Sequence, residues 1–133
     1  MRGRKVWLLG LLLLLLSACQ GAAYLTSTPR SAGSGDDITG HYAVSGTDLA
    51  GKTYNGELTI TRQGDVYAVV WTLGETQIEG TGLLDGDVLA VTWDAGGVPG
   101  LVVYRIVQPG ILEGRWTVQG ETTIATERAR RVP

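Results

Sequence analysis

The sequence predicts an all-β domain: one antiparallel up-and-down meander of about eight strands, closed or nearly closed into a barrel, with a two-sheet β-sandwich as the alternative. Three observations predict it. Apolar residues after Ile38 recur with period two, not 3.6. Short Gly-centred turns separate the alternating runs. A glycine also recurs in the same place in several of the runs.

The first strand places Ile38, Gly40, Tyr42 and Val44 on one face. In the second, Tyr54, Gly56, Leu58 and Ile60 oppose the polar set Thr53, Asn55, Glu57, Thr59 and Thr61. Tyr67, Val69, Trp71 and Leu73 mark the third strand, and Ile78, Gly80, Gly82 and Leu84 the fourth. Leu89, Val91 and Trp93 mark the fifth, and Val102, Tyr104 and Ile106 the sixth. Leu112, Gly114, Trp116 and Val118 form the inner face of the seventh. Thr122, Ile124 and Thr126 suggest a weaker eighth.

Tight turns are expected at Gln63-Gly64-Asp65, Asp85-Gly86-Asp87, Gln108-Pro109-Gly110 and Gln119-Gly120-Glu121. Longer connections fall at Ser45–Lys52 and Asp94–Gly100. The hairpin from Tyr54 to Trp71 is echoed from Ile78 to Trp93, with the two tryptophans 22 residues apart, and a third, decayed copy begins at Leu112. One hairpin cannot bury its apolar face, but several in series can curl over a shared core. Gly40, Gly56, Gly80 and Gly114 lie on the apolar side, where a missing side chain weakens packing. A strand that bends, or that passes beneath a large ring, needs such a residue, and glycine kinks let a sheet coil into a barrel.

Strand number, meander order and size resemble the calycin-type small barrels of the lipocalin and avidin groups, and Ile38-Thr39-Gly40-His41-Tyr42 is similar to their opening strand. The resemblance implies the architecture and no ligand.

The N-terminal part reads as a targeting device. Arg2, Arg4 and Lys5 precede an apolar run from Val6 to Leu16, as in a secretory signal peptide. A run of 11 residues is short against the roughly 20 that a bilayer-spanning helix needs. Leu16-Ser17-Ala18-Cys19 resembles the lipobox of bacterial lipoproteins. The resemblance implies cleavage after Ala18, a lipid on the Cys19 sulfur with acylation (palmitate-type) of the new terminus, and attachment to the cell membrane or the outer membrane. The organisation expected is therefore a signal peptide over 1–18, a lipidated cysteine and tether over 19–37, and a barrel over 38–130. The tether has the Gly, Ala, Ser and Thr content of an unstructured linker, with a reach of roughly 20–25 Å.

Composition narrows the function. Without residues 1–18 the chain keeps eight Lys and Arg against 13 Asp and Glu, a net charge near −5, with no basic stripe. Nucleic acid is not an expected partner. Cys19 is the only cysteine and His41 the only histidine, so a His/Cys zinc site lacks ligands and no metal is expected. Asp85-Gly86-Asp87 lacks EF-hand spacing and reads as a turn. Glu57, Glu79 and Glu113 fall on the outer face, where Arg62, Arg105 or Arg115 are expected to pair with them. Arg128, Arg130 and Arg131 read as a solvated basic tail.

The aromatic set carries two readings. Tyr42, Tyr54, Tyr67, Trp71, Trp93, Tyr104 and Trp116 all project inward, either as the core of a chain without Phe or as the lining of a ligand cup at one barrel mouth. No catalytic residue and no cofactor is expected, because the interior positions are almost wholly apolar or aromatic. The function expected is a non-enzymatic envelope lipoprotein that binds a protein, a glycan or a small amphiphile. The alternatives are an envelope inhibitor or chaperone-like partner of a secreted protein, and a small-ligand carrier.

Overall fold

The computed structural model describes residues 37–133; Cys19, the signal peptide and residues 20–36 of the tether lie outside them. Eight strands follow in chain order: β1 (Gly40–Thr47), β2 (Thr53–Gln63), β3 (Val66–Leu73), β4 (Thr76–Asp85), β5 (Val88–Asp94), β6 (Pro99–Gln108), β7 (Ile111–Val118) and β8 (Ala125–Arg131). Each pairs antiparallel with the next. β8 returns to β1, from Tyr42 opposite Arg131 to Thr47 opposite Thr126, and so closes the barrel. Closure leaves no sheet edge open to pair with another chain.

The period-two pattern does its work through the interior. Leu58, Val69, Leu89 and Val91 are fully buried at mid-barrel. Each contributes about 1.5–3 kcal/mol by leaving water. The turns β2–β3, β4–β5 and β6–β7 gather at one end, and this end is plugged. Ile38 is buried there, and the Tyr42 hydroxyl donates to its carbonyl at 2.7 Å. Arg131 clasps the plug: its guanidinium donates to the Asp37 carbonyl and to the Tyr42 hydroxyl, and lies 5.5 Å from the centre of the Tyr42 ring. The other four connections surround an open mouth.

Three sequence expectations are corrected. The eighth strand begins later and in the opposite phase: Ala125, Glu127 and Ala129 point inward, while Ile124 is 55 % exposed. The pairing of β8 with both β1 and β7 sets this phase, and neither contact is visible in the local pattern. The basic residues of β8 are not a free tail, since Arg131 holds the plug and Arg128 pairs with Glu113 at 2.9 Å. Arg105 pairs with Asp87 of the β4–β5 turn, and not with a glutamate of the outer face.

Candidate functional site

The site is built on β8. Glu127 is a buried charged residue, 7 % exposed, in the barrel wall. Its neighbours across the two ladders are Gly46 on β1 and Gly114 on β7. Neither has a side chain, so each leaves a hollow beside the carboxylate. The Tyr54 ring fills the hollow over Gly46, and the Tyr104 ring fills that over Gly114. A Cβ on Gly114 would stand 2.7 Å from a Tyr104 ring carbon, well inside van der Waals contact.

The two hydroxyls thereby converge on one carboxylate. Tyr54 donates to Glu127 Oε2 at 2.6 Å, and Tyr104 donates to Oε1. Behind each tyrosine stands a tryptophan. Trp116 Nε1 donates to the Tyr54 hydroxyl at 3.1 Å. Trp71 Nε1 is shared between the Tyr104 hydroxyl and Glu127 Oε1, at 3.1 Å to each. Indole donates only, so each phenol that accepts from it passes its own proton toward the carboxylate. Burial, followed by the charge of Glu127 and the hydrogen bond to it, pushes the Tyr104 hydroxyl well above its ordinary pKa, and the same causes in the same order raise Tyr54.

Above this cluster lies a cavity of about 390 Å³ open at the mouth. Its aromatic wall runs from Trp71 through Trp93 and Trp116 to Tyr54. Ring centres along it are 5.5, 6.0 and 6.4 Å apart, and the planes are inclined by 59–69°. These are the inclined spacings that aromatic pairs favour. Leu73, Ile78, Val102 and Val118 complete the apolar surface, and Asp48 stands at the rim. Asp48 Oδ1 accepts from the Ala50 and Lys52 amides, which shapes the β1–β2 loop beside the opening.

Tyr54, Trp71, Trp93, Tyr104 and Trp116 thus line the cavity. Tyr42 and Tyr67 are buried in the core toward the plugged end, away from it. Cys19 lies outside the described residues. His41 faces outward and shares a hydrogen bond of 3.1 Å with Thr59 Oγ1. Among the described residues no three His, Cys, Asp or Glu side chains gather as a metal site.

Sequence reasoning missed Glu127 and with it the polar cluster inside the barrel. A signal was present. Ala125 and Ala129 flank Glu127 at spacing two, an inner face of small residues that leaves room for rings from across the barrel.

No protein-family model and no curated protein matches the chain. Solved structures do. A redesigned β barrel is similar over 72 % of this chain and 92 % of its own, with a TM-score of 0.58 at 17 % identity. A second redesigned β barrel, mFAP1, bound to DFHBI, is similar over 71 % of this chain and 94 % of its own, with a TM-score of 0.57 at 18 % identity. A fatty acid-binding protein of Drosophila melanogaster brain is similar over 70 % of this chain and 98 % of its own, with a TM-score of 0.47 at 15 % identity. At such identities the likeness to the two designed barrels shows the fold alone: a small, closed, antiparallel β-barrel.

Proposed function

We propose that the chain is a lipid-anchored envelope protein whose barrel binds one small, largely apolar organic ligand without transforming it. The observation that carries the binding reading is the cavity of about 390 Å³ beneath an open mouth, walled by three tryptophans. That volume lies within the range of small-molecule pockets, roughly 300–1,000 Å³. A core built only for stability would fill such a space with side chains, since protein interiors pack as densely as organic crystals. The redesigned barrel mFAP1 has the same architecture and is bound to DFHBI. Catalysis finds little support in the cup. Among the described residues its titratable side chains are two carboxylates and two phenols, and no Ser, Lys or His joins them.

A neutral apolar dye, Nile red, tests this reading. One dye per chain is expected to bind with quenching of tryptophan emission, and Ile78→Trp, which fills the mouth, is expected to weaken binding at least tenfold. Absence of any binding site for the dye, or unchanged affinity in a folded Ile78→Trp protein, would count against a cup that takes ligands.

The anchoring reading rests on the lipobox-like Leu16-Ser17-Ala18-Cys19. Each buried methylene contributes about 0.8 kcal/mol, so two or three acyl chains hold a protein on a bilayer where one does so only reversibly. Full-length Cys19→Ser expressed in a bacterium is expected to leave the membrane fraction, with the barrel's circular dichroism unchanged. Persistent membrane association of that variant would refute lipid attachment at Cys19.

A further inference from the structure

We infer that the cup selects an organic cation: an ammonium group carried on an apolar or aromatic body. This rests on the binding reading above and names the class of ligand. The argument begins with charge. Glu127 receives three hydrogen bonds, all from neutral donors: two phenols and one indole. Three donors around one carboxyl group suit its ionised, acceptor-only form. Among the described residues no Lys, Arg or His lines the cavity to balance it, and the other charged group there, Asp48, is also acidic. Arg115 and Arg128, adjacent on β7 and β8, are exposed; with Arg105 they line an outer groove that Glu127 also borders, and Arg128 is paired there with Glu113, so none of the three faces the cup. Among the described residues, the cup is therefore an apolar cavity lined by two acidic side chains and no basic one.

Every buried polar atom of the cluster has a hydrogen-bond partner, yet acceptor capacity remains. A carboxylate offers four acceptor sites, two on each oxygen. Tyr104 donates to Oε1, which also takes a share of the bifurcated Trp71 N–H, while Tyr54 donates to Oε2. One site on Oε2 is left. An ammonium N–H meets it as a charge-assisted hydrogen bond. A quaternary ammonium, which cannot donate, is attracted by the same charge at longer range. Burial of the carboxylate weakens solvent screening of that attraction.

The wall fits the same ligand. Aromatic faces attract cations within about 6 Å of the ring centre, tryptophan most of all. Trp71, Trp93 and Trp116 stand in an inclined series and line the same cavity as Glu127, which sets three indoles and one carboxylate around a single space. Fatty acids and other anions face the opposite situation: their carboxylate would enter a low-dielectric space already holding one like charge, with no basic residue to receive it. The cup thus excludes by charge the anionic amphiphiles that its apolar surface would otherwise accept.

Three probes of similar shape and different charge test the inference on the intact protein. These are benzyltrimethylammonium, its uncharged isostere neopentylbenzene, and phenylacetate, each titrated by tryptophan fluorescence at neutral pH. The cation is expected to bind at least fivefold tighter than the neutral probe, with phenylacetate weakest. Glu127→Gln removes the charge and is expected to remove that preference. A preference below fivefold, tighter binding of phenylacetate, or a cation preference that survives in Glu127→Gln would overturn the inference and leave a neutral apolar cup standing. If the dye and all three probes fail to bind, the binding reading falls with it. Should Glu127→Gln fail to fold, the comparison of the three probes on the unsubstituted protein decides alone.

Discussion

Gly114→Ala is expected to destabilise the protein by about 2–3 kcal/mol, near the upper end of the overpacking range. The added methyl would stand 2.7 and 2.8 Å from two Tyr104 ring carbons and 3.1 Å from Val102 Cγ2. Tyr104 cannot swing aside freely. It is fully buried, and its hydroxyl is held by both Glu127 and Trp71. Either the ring shifts and its hydrogen bond to the carboxylate lengthens, or β7 moves away from β6. Gly82→Ala is the control. It adds the same methyl to an inward glycine, but the nearest atoms are Leu89 Cδ1 at 3.0 Å and Val91 Cγ2 at 3.2 Å, aliphatic side-chain ends that no hydrogen bond holds in place. The gain from restricting the unfolded chain, about 0.4–1 kcal/mol, then offsets much of the crowding. Urea denaturation of the two variants should separate them by at least 1 kcal/mol. Equal losses would mean that the glycine beside Glu127 has no special part in seating the tyrosine.

Alkaline pH is expected to unfold the barrel through its tyrosines. The pKa of Tyr104 is raised in the folded state, first by burial and then by the neighbouring charge of Glu127. Its folded value therefore lies above its unfolded value, near 10. The resulting stability is fully present below pH 10 and is lost as pH rises from there toward the folded value, because the unfolded chain releases a proton that the fold retains. The slope is about 1.4 kcal/mol per pH unit for one such group. Tyr54 acts in the same direction, but it is only half-buried and solvent screening reduces its share. Denaturant titrations at a series of alkaline pH values should show this decline, and tyrosinate absorbance from both residues should appear only as the fold is lost. Tyr104→Phe lowers stability at neutral pH yet should flatten the decline above pH 10. A slope unaltered by Tyr104→Phe would show that the buried phenol is not the titrating group.

The two expectations meet at one residue that sequence reading passed over. The pattern of β1 to β7 was legible because alternation is local. Trp71, Trp93 and Trp116 announce their inward faces through neighbours at spacing two, whatever lies opposite. The recurrent glycines were legible too, as gaps on an apolar face. What they made room for was not. Gly114 receives the Tyr104 ring, while Gly46 and Gly100, outside the repeat, receive Tyr54 and Trp93 in the same way. β8 was misread because its inner face is Ala125, Glu127 and Ala129, which carries no apolar alternation to detect.

The chain alone specified seven alternating ribbons, three of the tight turns between them, the meander order and the inward direction of the rings, since each depends on residues within a hairpin of one another. Only closure of β8 onto β1 decided that a glutamate lies inside, that two tyrosines from β2 and β6 reach it, and that a cavity with unbalanced negative charge remains above. Those contacts join residues 23 to 73 positions apart in the chain. Their geometry depends on strand tilt and on which side chains are missing across the barrel, and these are properties of the assembled wall that no single strand encodes.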